Sequence, residues 1–136
     1  MKCYVLDANA LIRYFRRTPG SVVVLELFEK AKTGQIRVLI SVVNLTEVLY
    51  VTAKYYQLDK ATAFVNAART VIETMPVDDR VAMDTGAVRV RYKMSLGDCF
   101  AAELAMRLGA TLVTADPEFA KIGKQLKVLA LPPHKS

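Results

Sequence analysis

Four carboxylates in this 136-residue sequence lie where a predicted strand ends or a predicted helix begins. They are Asp7, Glu47, Asp98 and Asp116. The sequence has one histidine, His134, which excludes a histidine-ligated zinc site, a histidine-based triad and a pair of histidine acid–base catalysts. An enzyme built from this chain therefore works with carboxylates, hydroxyls, lysine, cysteine or a metal held by oxygen.

A divalent cation would explain why such carboxylates converge. Carboxylates that meet without neutralisation repel one another, and a cation relieves that repulsion. Ligands that are all oxygen favour Mg²⁺ or Mn²⁺ over zinc. The chain also carries 19 Lys and Arg against 13 Asp and Glu, a net charge of +6, which permits an anionic partner such as nucleic acid. This combination indicates phosphodiester chemistry.

Each carboxylate also has a purely structural alternative. Asp7 and Asp116 stand where they could cap the helix that follows, and Asp98 could complete a capping box. Glu47 lies in an apolar helix, where a salt bridge to a lysine or arginine would satisfy it.

Short β-rich runs alternate with helical stretches along the chain, which predicts parallel strands joined by right-handed crossovers. The predicted strands are residues 3–6, 36–40, 111–114 and 128–131, and residues 76–77 are expected to form a short strand or an extended link. Predicted helices cover 8–17, 21–32, 42–56, 59–73, 78–93 and 95–108, with a short one from 117. Caps are expected from Ser21, Ser41, Asp59 and Asp78, while Ser95 opens the helix that Gly109 closes. We expect an α/β fold, a three-layer α/β/α sandwich around a central, mainly parallel sheet, in one domain spanning 1–136. All four carboxylates then belong to the carboxyl edge of the sheet, where ligands bind in such folds.

Compartment and membrane association follow from the same sequence. No window reaches the roughly 18 apolar residues that a membrane span needs, so we expect a soluble, cytoplasmic protein without a membrane role. Cys3 and Cys99 lie in apolar runs without a C-x-x-C motif, and we expect free thiols.

Four motifs carry a family resemblance: VLDANALI, NLTEVLY, SLGDCFAAELA and TLVTADPEF. In this order they resemble the acidic motifs of PIN-domain nucleases, most closely the VapC toxins of toxin–antitoxin modules. The resemblance implies that the four carboxylates form the catalytic site and bind Mg²⁺ or Mn²⁺. It also implies that Asn9 and Thr114 support this site. Where the family commonly has Thr or Ser, this sequence has Ala8, which removes only an accessory hydroxyl.

The activity implied by the resemblance is metal-assisted endoribonuclease cleavage that leaves a 5′-phosphate and a 3′-hydroxyl. The implied partners are RNA, a cognate antitoxin and a second copy of the chain in a homodimer. Two basic clusters could contact RNA phosphates, with a solvated surface as the alternative for each residue. These clusters are Arg13, Arg16 and Arg17, and Arg89, Arg91 and Lys93.

Three other functions compete with a toxin ribonuclease. The same fold could process RNA without a toxin role. An aspartate-based phosphatase or phospho-acceptor domain could use Asp7 as its nucleophile, although Asp7-x-Asn9 only half matches the paired aspartates of such enzymes. A non-catalytic binding module is disfavoured because all four acids are present.

Overall fold

A five-stranded parallel sheet forms the centre of the computed structural model, which describes residues 1–133; His134 lies outside them. The strands are β1 (Lys2–Leu6), β2 (Ile36–Ser41), β3 (Glu73–Met75), β4 (Thr111–Thr114) and β5 (Lys127–Ala130). Their order across the sheet is β3-β2-β1-β4-β5, and every neighbouring pair is parallel. This confirms the predicted α/β class.

Helices cover both faces of the sheet. They are α1 (Ala8–Arg16), α2 (Ser21–Lys32), α3 (Val42–Tyr56), α4 (Leu58–Ala68), α5 (Asp79–Tyr92), α6 (Leu96–Leu108) and a 3₁₀ helix (Pro117–Gln125) interrupted at Gly123. One hydrophobic core packs the four helices α1, α2, α3 and α4 against one face of the sheet. A second core packs α5, α6 and the 3₁₀ helix against the other face. The predicted three layers are confirmed. Within residues 1–133, no helix is both long enough and apolar enough to span a membrane.

The apolar runs of the central strands explain this layering. Neighbouring residues of a strand point to opposite faces, so Val5 enters one core and Leu6 the other. Leu39 and Ile40 divide in the same way on β2. Parallel strands covered on both sides require continuous apolar sequence, which these strands have.

Three local predictions were wrong. The third strand is residues 73–75, not 76–77, because Pro76 lacks an amide proton and cannot extend the ladder. Helix α4 ends at Ala68 rather than near residue 73. Just after its end, the Thr70 hydroxyl donates to the Ala67 carbonyl at 2.7 Å and closes the helix in a turn. The expected caps by Ser21 and Asp59 are absent, because Gly20 at φ +94° precedes α2, Gln57 precedes α4, and neither helix start has a side-chain cap.

The segment after β5 ties together distant parts of the fold. The Leu131 amide donates to the Thr114 carbonyl at 2.7 Å, and the buried Leu131 side chain packs on Gly20. The guanidinium of Arg13, in α1, donates to the carbonyls of Pro19 and Pro132. The end of β4, the start of α2 and the body of α1 are therefore joined.

Candidate active site

Asp7 follows β1 directly and is the most deeply buried carboxylate at this edge, with 2% of its surface exposed. One carboxylate oxygen accepts a hydrogen bond from the Ala10 amide at 2.8 Å, so Asp7 does cap α1 as the structural alternative predicted. Its other oxygen accepts a hydrogen bond from the Thr114 hydroxyl. Burial raises the pKa of Asp7 to about 6, and the nearby charges of Asp116 and Glu47 also raise it, while the two hydrogen bonds oppose the rise. Asp7 therefore belongs to a carboxylate cluster.

Thr114 ends β4 and connects Asp7 to Asp116. Its side chain is buried, and its hydroxyl donates to Asp7 while accepting a hydrogen bond from the Asp116 amide at 2.9 Å. One carboxylate oxygen of Asp116 accepts a hydrogen bond from the Glu118 amide at 2.9 Å, which caps the 3₁₀ helix. The predicted capping role of Asp116 therefore uses only one of its oxygens.

Asp98 lies in the first turn of α6, which starts at the same edge of the sheet. The Ser95 hydroxyl caps this helix by accepting a hydrogen bond from the Asp98 amide at 3.4 Å. Burial raises the pKa of the Asp98 carboxyl to about 7; the Ser95 hydroxyl opposes this rise, and Asp116 and Asp7 add to it. The Asp98 and Asp116 carboxylates each offer an oxygen within 4.8 Å of the other, so the two groups lie close together.

Glu47 reaches the cluster from α3 and is half-buried. Its carboxylate faces the backbone of Gly97, next to Asp98, and its charge contributes to the raised pKa of Asp7. Of the ion pairs formed among residues 1–133, none includes Glu47. The salt-bridge alternative is therefore absent from this part of the chain.

Asp98, Asp116 and Glu118 form a group that could hold a cation, because each offers a carboxylate oxygen within 4.8 Å of the other two; Glu118 also forms an ion pair with Lys121 at 3.0 Å. Glu118 was missing from the predicted site. The sequence carried a signal for it, because Glu118 follows Asp116 by two residues at the start of a helix, where both side chains remain near the same edge. An all-oxygen donor set, in which burial and then the neighbouring carboxylates hold the pKa of Asp7 and Asp98 well above the ordinary range, fits a hard divalent cation.

The predicted supporting and basic residues occupy different environments. Asn9 is exposed in the first turn of α1, two residues from Asp7. Arg13 is 6% exposed and its guanidinium is engaged by backbone carbonyls, so we remove it from the candidate RNA contacts. The Arg16 guanidinium lies 3.6 Å from the centroid of the Tyr55 ring.

The remaining basic candidates are on the surface. Arg17, Arg91 and Lys93 are exposed. Arg89 donates to the Met94 carbonyl and so holds the turn between α5 and α6.

Both cysteines are free thiols, as predicted. Burial raises the pKa of the Cys99 thiol, which agrees with a packing role and argues against a nucleophilic one.

Comparison with known proteins identifies the family. The sequence model described as the PIN domain matches residues 4–125, a segment that contains all four predicted carboxylates. The chain belongs to the PIN domain family. No curated protein matches its sequence significantly.

Solved structures share the fold of this PIN domain. VapBC2 from Rickettsia felis, bound to a DNA fragment from its promoter, is 22% identical with a TM-score of 0.77, over 96% of this chain and 99% of that one. DNA-bound VapBC from Salmonella typhimurium is 21% identical with a TM-score of 0.74, over 96% and 98% of the two chains. VapBC-5 from Mycobacterium tuberculosis is 20% identical with a TM-score of 0.62, over 96% and 99%. The predicted resemblance to PIN domains of the VapC kind is confirmed at the level of the fold.

Proposed function

We propose that this PIN domain is an endoribonuclease that hydrolyses RNA phosphodiester bonds with Mg²⁺ or Mn²⁺. The observation that carries the proposal is the convergence of Asp7, Asp98 and Asp116 at the carboxyl edge, with no cation from Lys or Arg among residues 1–133 paired to them. Such unneutralised charge costs stability, and a metal-dependent reaction is the function that accounts for it.

The chain's own residues have distinct tasks in this reaction. Asp98, Asp116 and Glu118 would hold the cation, and Asp7 and Glu47 would add the negative charge that retains it. When bound, a divalent cation supplies Lewis-acid activation of water and neutralises charge on the phosphate. The new bond joins the water oxygen to phosphorus as the bond to the 3′ oxygen breaks, and a proton passes to that 3′ oxygen. The products are a 5′-phosphate and a 3′-hydroxyl.

RNA binding would rely on basic side chains near the carboxyl edge. Arg91 and Lys93, with Arg89, end α5 shortly before the Asp98 helix, and Arg17 follows α1. Asn9 is placed to orient a water or a phosphate oxygen beside Asp7. We also propose that the protein acts in the cytoplasm, in keeping with its free thiols.

A toxin role with a cognate antitoxin is the finer part of the proposal. A groove of about 810 Å³ lies between α1, α2 and α4, with Phe15, Phe28 and Phe64 among its lining residues. Val22 and Leu25 at this groove are 64% and 42% exposed. Its basic side chains are Arg16, Arg17, Lys32 and Lys60. An antitoxin segment with apolar side chains flanked by carboxylates would suit this groove, and solved relatives of the fold include a toxin–antitoxin complex from Klebsiella pneumoniae.

A homodimer is also proposed. Met83 and Val90 on α5 are 75% and 80% exposed, and a second copy would cover such side chains. Sedimentation equilibrium of the chain with and without Val90→Glu tests this, and a wild-type monomer at high concentration would contradict it.

Cleavage of RNA by the purified protein tests the central proposal. We expect cleavage with Mg²⁺ or Mn²⁺, none with EDTA, and at least a hundredfold loss in Asp98→Asn. Asp59→Asn makes the same chemical change at an exposed position of α4 and serves as the control. Cleavage that survives both EDTA and Asp98→Asn would rule out the metal–carboxylate mechanism. RNA binding without cleavage would instead favour a binding module.

Growth separates the toxin from an RNA-processing enzyme. Induction without antitoxin should arrest a host. The antitoxin should restore growth to cells that express the wild-type chain but not to cells that express Val22→Asp, in which we expect RNA cleavage to be unchanged. Unarrested growth with active enzyme would favour RNA processing. A phospho-acceptor role for Asp7 is disfavoured because both of its carboxylate oxygens accept hydrogen bonds inside the fold.

A further inference from the structure

Asn44 is a buried polar side chain that the proposed mechanism leaves unexplained. It lies in the first turn of α3 and is 1% exposed. Its side-chain amide donates to the Gly97 carbonyl at 3.0 Å, which links α3 to the first turn of α6. No donor among residues 1–133 reaches its Oδ1. A buried amide with one unmet acceptor is costly to keep, so its hydrogen bond to α6 needs a reason.

Gly97 meets Asn44 and Glu47 where a side chain on Gly97 would displace the Glu47 carboxylate. A Cβ built on Gly97 would lie 2.9 Å from Oε1 of Glu47 and 3.6 Å from Nδ2 of Asn44. The backbone of Gly97 is ordinary helix without positive φ, so the absent side chain matters here for the position of Glu47 and not for the backbone conformation. The next residue along α6 is Asp98.

The contact between Asn44 and Gly97 fixes the distance between the carboxylates of Glu47 and Asp98. Asn44 and Glu47 are three residues apart on α3 and therefore project from the same side of the helix. Asn44 holds the Gly97 carbonyl, and the Glu47 carboxylate rests against the same glycine. The spacing between Glu47 and Asp98 is then set by backbone contact, although both groups are negatively charged.

We propose that Asn44 and Gly97 form a clamp that positions Asp98 as a ligand of the divalent cation, with the Glu47 carboxylate held beside it. Asn44 is a positioning residue, because it is buried and acts through its hydrogen bond to the backbone of α6. The inference rests on the proposed metal-dependent function and adds to it the device that sets the ligand spacing. The direction of the amide is fixed, since only the nitrogen of Asn44 can face a carbonyl oxygen.

Asn44→Leu tests the clamp with little change in shape. Leucine fills a similar volume and removes the donor together with the unmet acceptor, so the urea midpoint of the metal-free protein should stay at or above the wild-type value. Mn²⁺ affinity, measured by the electron paramagnetic resonance of free Mn²⁺, should fall about 10- to 100-fold, as it does when groups that orient metal ligands are lost. Thr52→Val is the control, because Thr52 is also buried in α3 with an unpartnered hydroxyl among the described residues.

Gly97→Ala tests the same clamp from α6. The added methyl group would push against Oε1 of Glu47, and we expect a loss of Mn²⁺ affinity within the same range. Gly86→Ala, an exposed helical position of α5 with nothing within 4 Å of the new Cβ, should leave it unchanged. Excess Mn²⁺ should restore RNA cleavage to Asn44→Leu but not to Asp98→Asn, which lacks a ligand.

The outcomes separate the clamp from the function on which it rests. Wild-type Mn²⁺ affinity in both folded Asn44→Leu and folded Gly97→Ala overturns the clamp, even if the protein cleaves RNA. If Asn44→Leu does not fold, Gly97→Ala decides alone. If the wild type binds Mn²⁺ but cleaves no RNA, and either variant binds Mn²⁺ more weakly than the wild type, the clamp is supported and the proposed function is rejected. A wild type that binds no Mn²⁺ overturns both.

Discussion

Asp7 concentrates the electrostatic cost of this site in one residue. The carboxyl is nearly inaccessible to water, and the surrounding groups that could offset its charge are two hydrogen-bond donors rather than a cation. Folding therefore favours its protonated form, and its pKa rises from 3.8 to about 6. The native state binds more protons than the unfolded state in this pH range, so its stability falls as the pH rises through the window.

The metal-free protein should be less stable at pH 8 than at pH 5. Ionising Asp7 in the folded state costs about 3 kcal/mol over the full interval between its unfolded and folded pKa values, of which about 1.4 kcal/mol falls between pH 5 and pH 8, and Asp98 adds to the same trend. Urea unfolding in EDTA at both pH values measures the difference. Asp7→Asn should reduce it and Asp59→Asn should not. A metal-free stability that rises from pH 5 to pH 8 would contradict the raised pKa values.

Mg²⁺ or Mn²⁺ should recover that stability at pH 8. A cation that binds only the folded state adds about 2.7 kcal/mol at 100 times its Kd. The urea midpoint of the wild type should therefore increase with metal, while that of Asp98→Asn should respond weakly. Equal increases in both proteins would place the binding site elsewhere.

The Thr114 hydroxyl should matter more than its size suggests. Thr114→Val keeps the shape but leaves one Asp7 oxygen and the Asp116 amide without their partner. We expect a loss of about 1–3 kcal/mol in unfolding free energy and a further rise in the pKa of Asp7, measured by urea and by carboxyl-carbon NMR. Thr46→Val, at an exposed hydroxyl that bonds only its own helix, is the control and should change neither.

At the scale of elements, the sequence predicted those helix ends that are fixed by residues next to them in the chain. Ser41, Asp78 and Ser95 each cap the helix that follows, and Gly109 ends α6, because these residue types satisfy helix ends without help from the rest of the fold. The third strand was misplaced because its pairing with β2 depends on distant residues. A three-residue edge strand carries too little pattern to be recognised alone.

The site was predictable to the extent that it follows chain topology. Asp7 and Asp116 directly follow neighbouring strands, so parallel order alone brings them together. Asn44 and Gly97 could not be found this way, because their contact depends on how α3 and α6 approach one another. Arg13 was misassigned for a related reason, since its partners lie at Pro19 and Pro132 and only the folded chain shows them.

Arg13 should be a stability residue of α1. Arg13→Met keeps most of the apolar stem but loses both hydrogen bonds to backbone carbonyls, and we expect about 2–4 kcal/mol lower unfolding free energy. Arg17→Met, at an exposed neighbouring position, should cost under about 0.5 kcal/mol. A fall in RNA affinity without destabilisation would return Arg13 to the RNA-binding residues.

For the whole molecule, the net charge of +6 conceals a separation of charge. Five of the 13 acids, Asp7, Glu47, Asp98, Asp116 and Glu118, lie at the carboxyl edge, so the remaining surface is more basic than the total suggests. RNA binding by Asp98→Asn should weaken with salt, because each neutralised phosphate contributes about −0.7 to the slope of log affinity against log salt for single strands. Replacing Arg91 and Lys93 with Gln should flatten that slope by about 1 to 2.

Lys2 and Lys127 provide the matched pair for this experiment. They begin β1 and β5, at the opposite edge of the sheet, and both are exposed. Their replacement by Gln removes the same charge and should leave the slope nearly unchanged. If both pairs flatten it equally, RNA contact is spread over the molecule instead of following the carboxyl edge.

The cluster of carboxylates also affects which mutations can inactivate the protein during evolution. Most single substitutions lower the stability of a protein, but neutralising Asp7 or Asp98 removes repulsion and catalytic capacity in the same step. A lineage under selection against the proposed activity would therefore have an escape route that does not pass through misfolding. Its inactive descendants would accumulate to normal levels and retain every surface through which the active protein meets its partners.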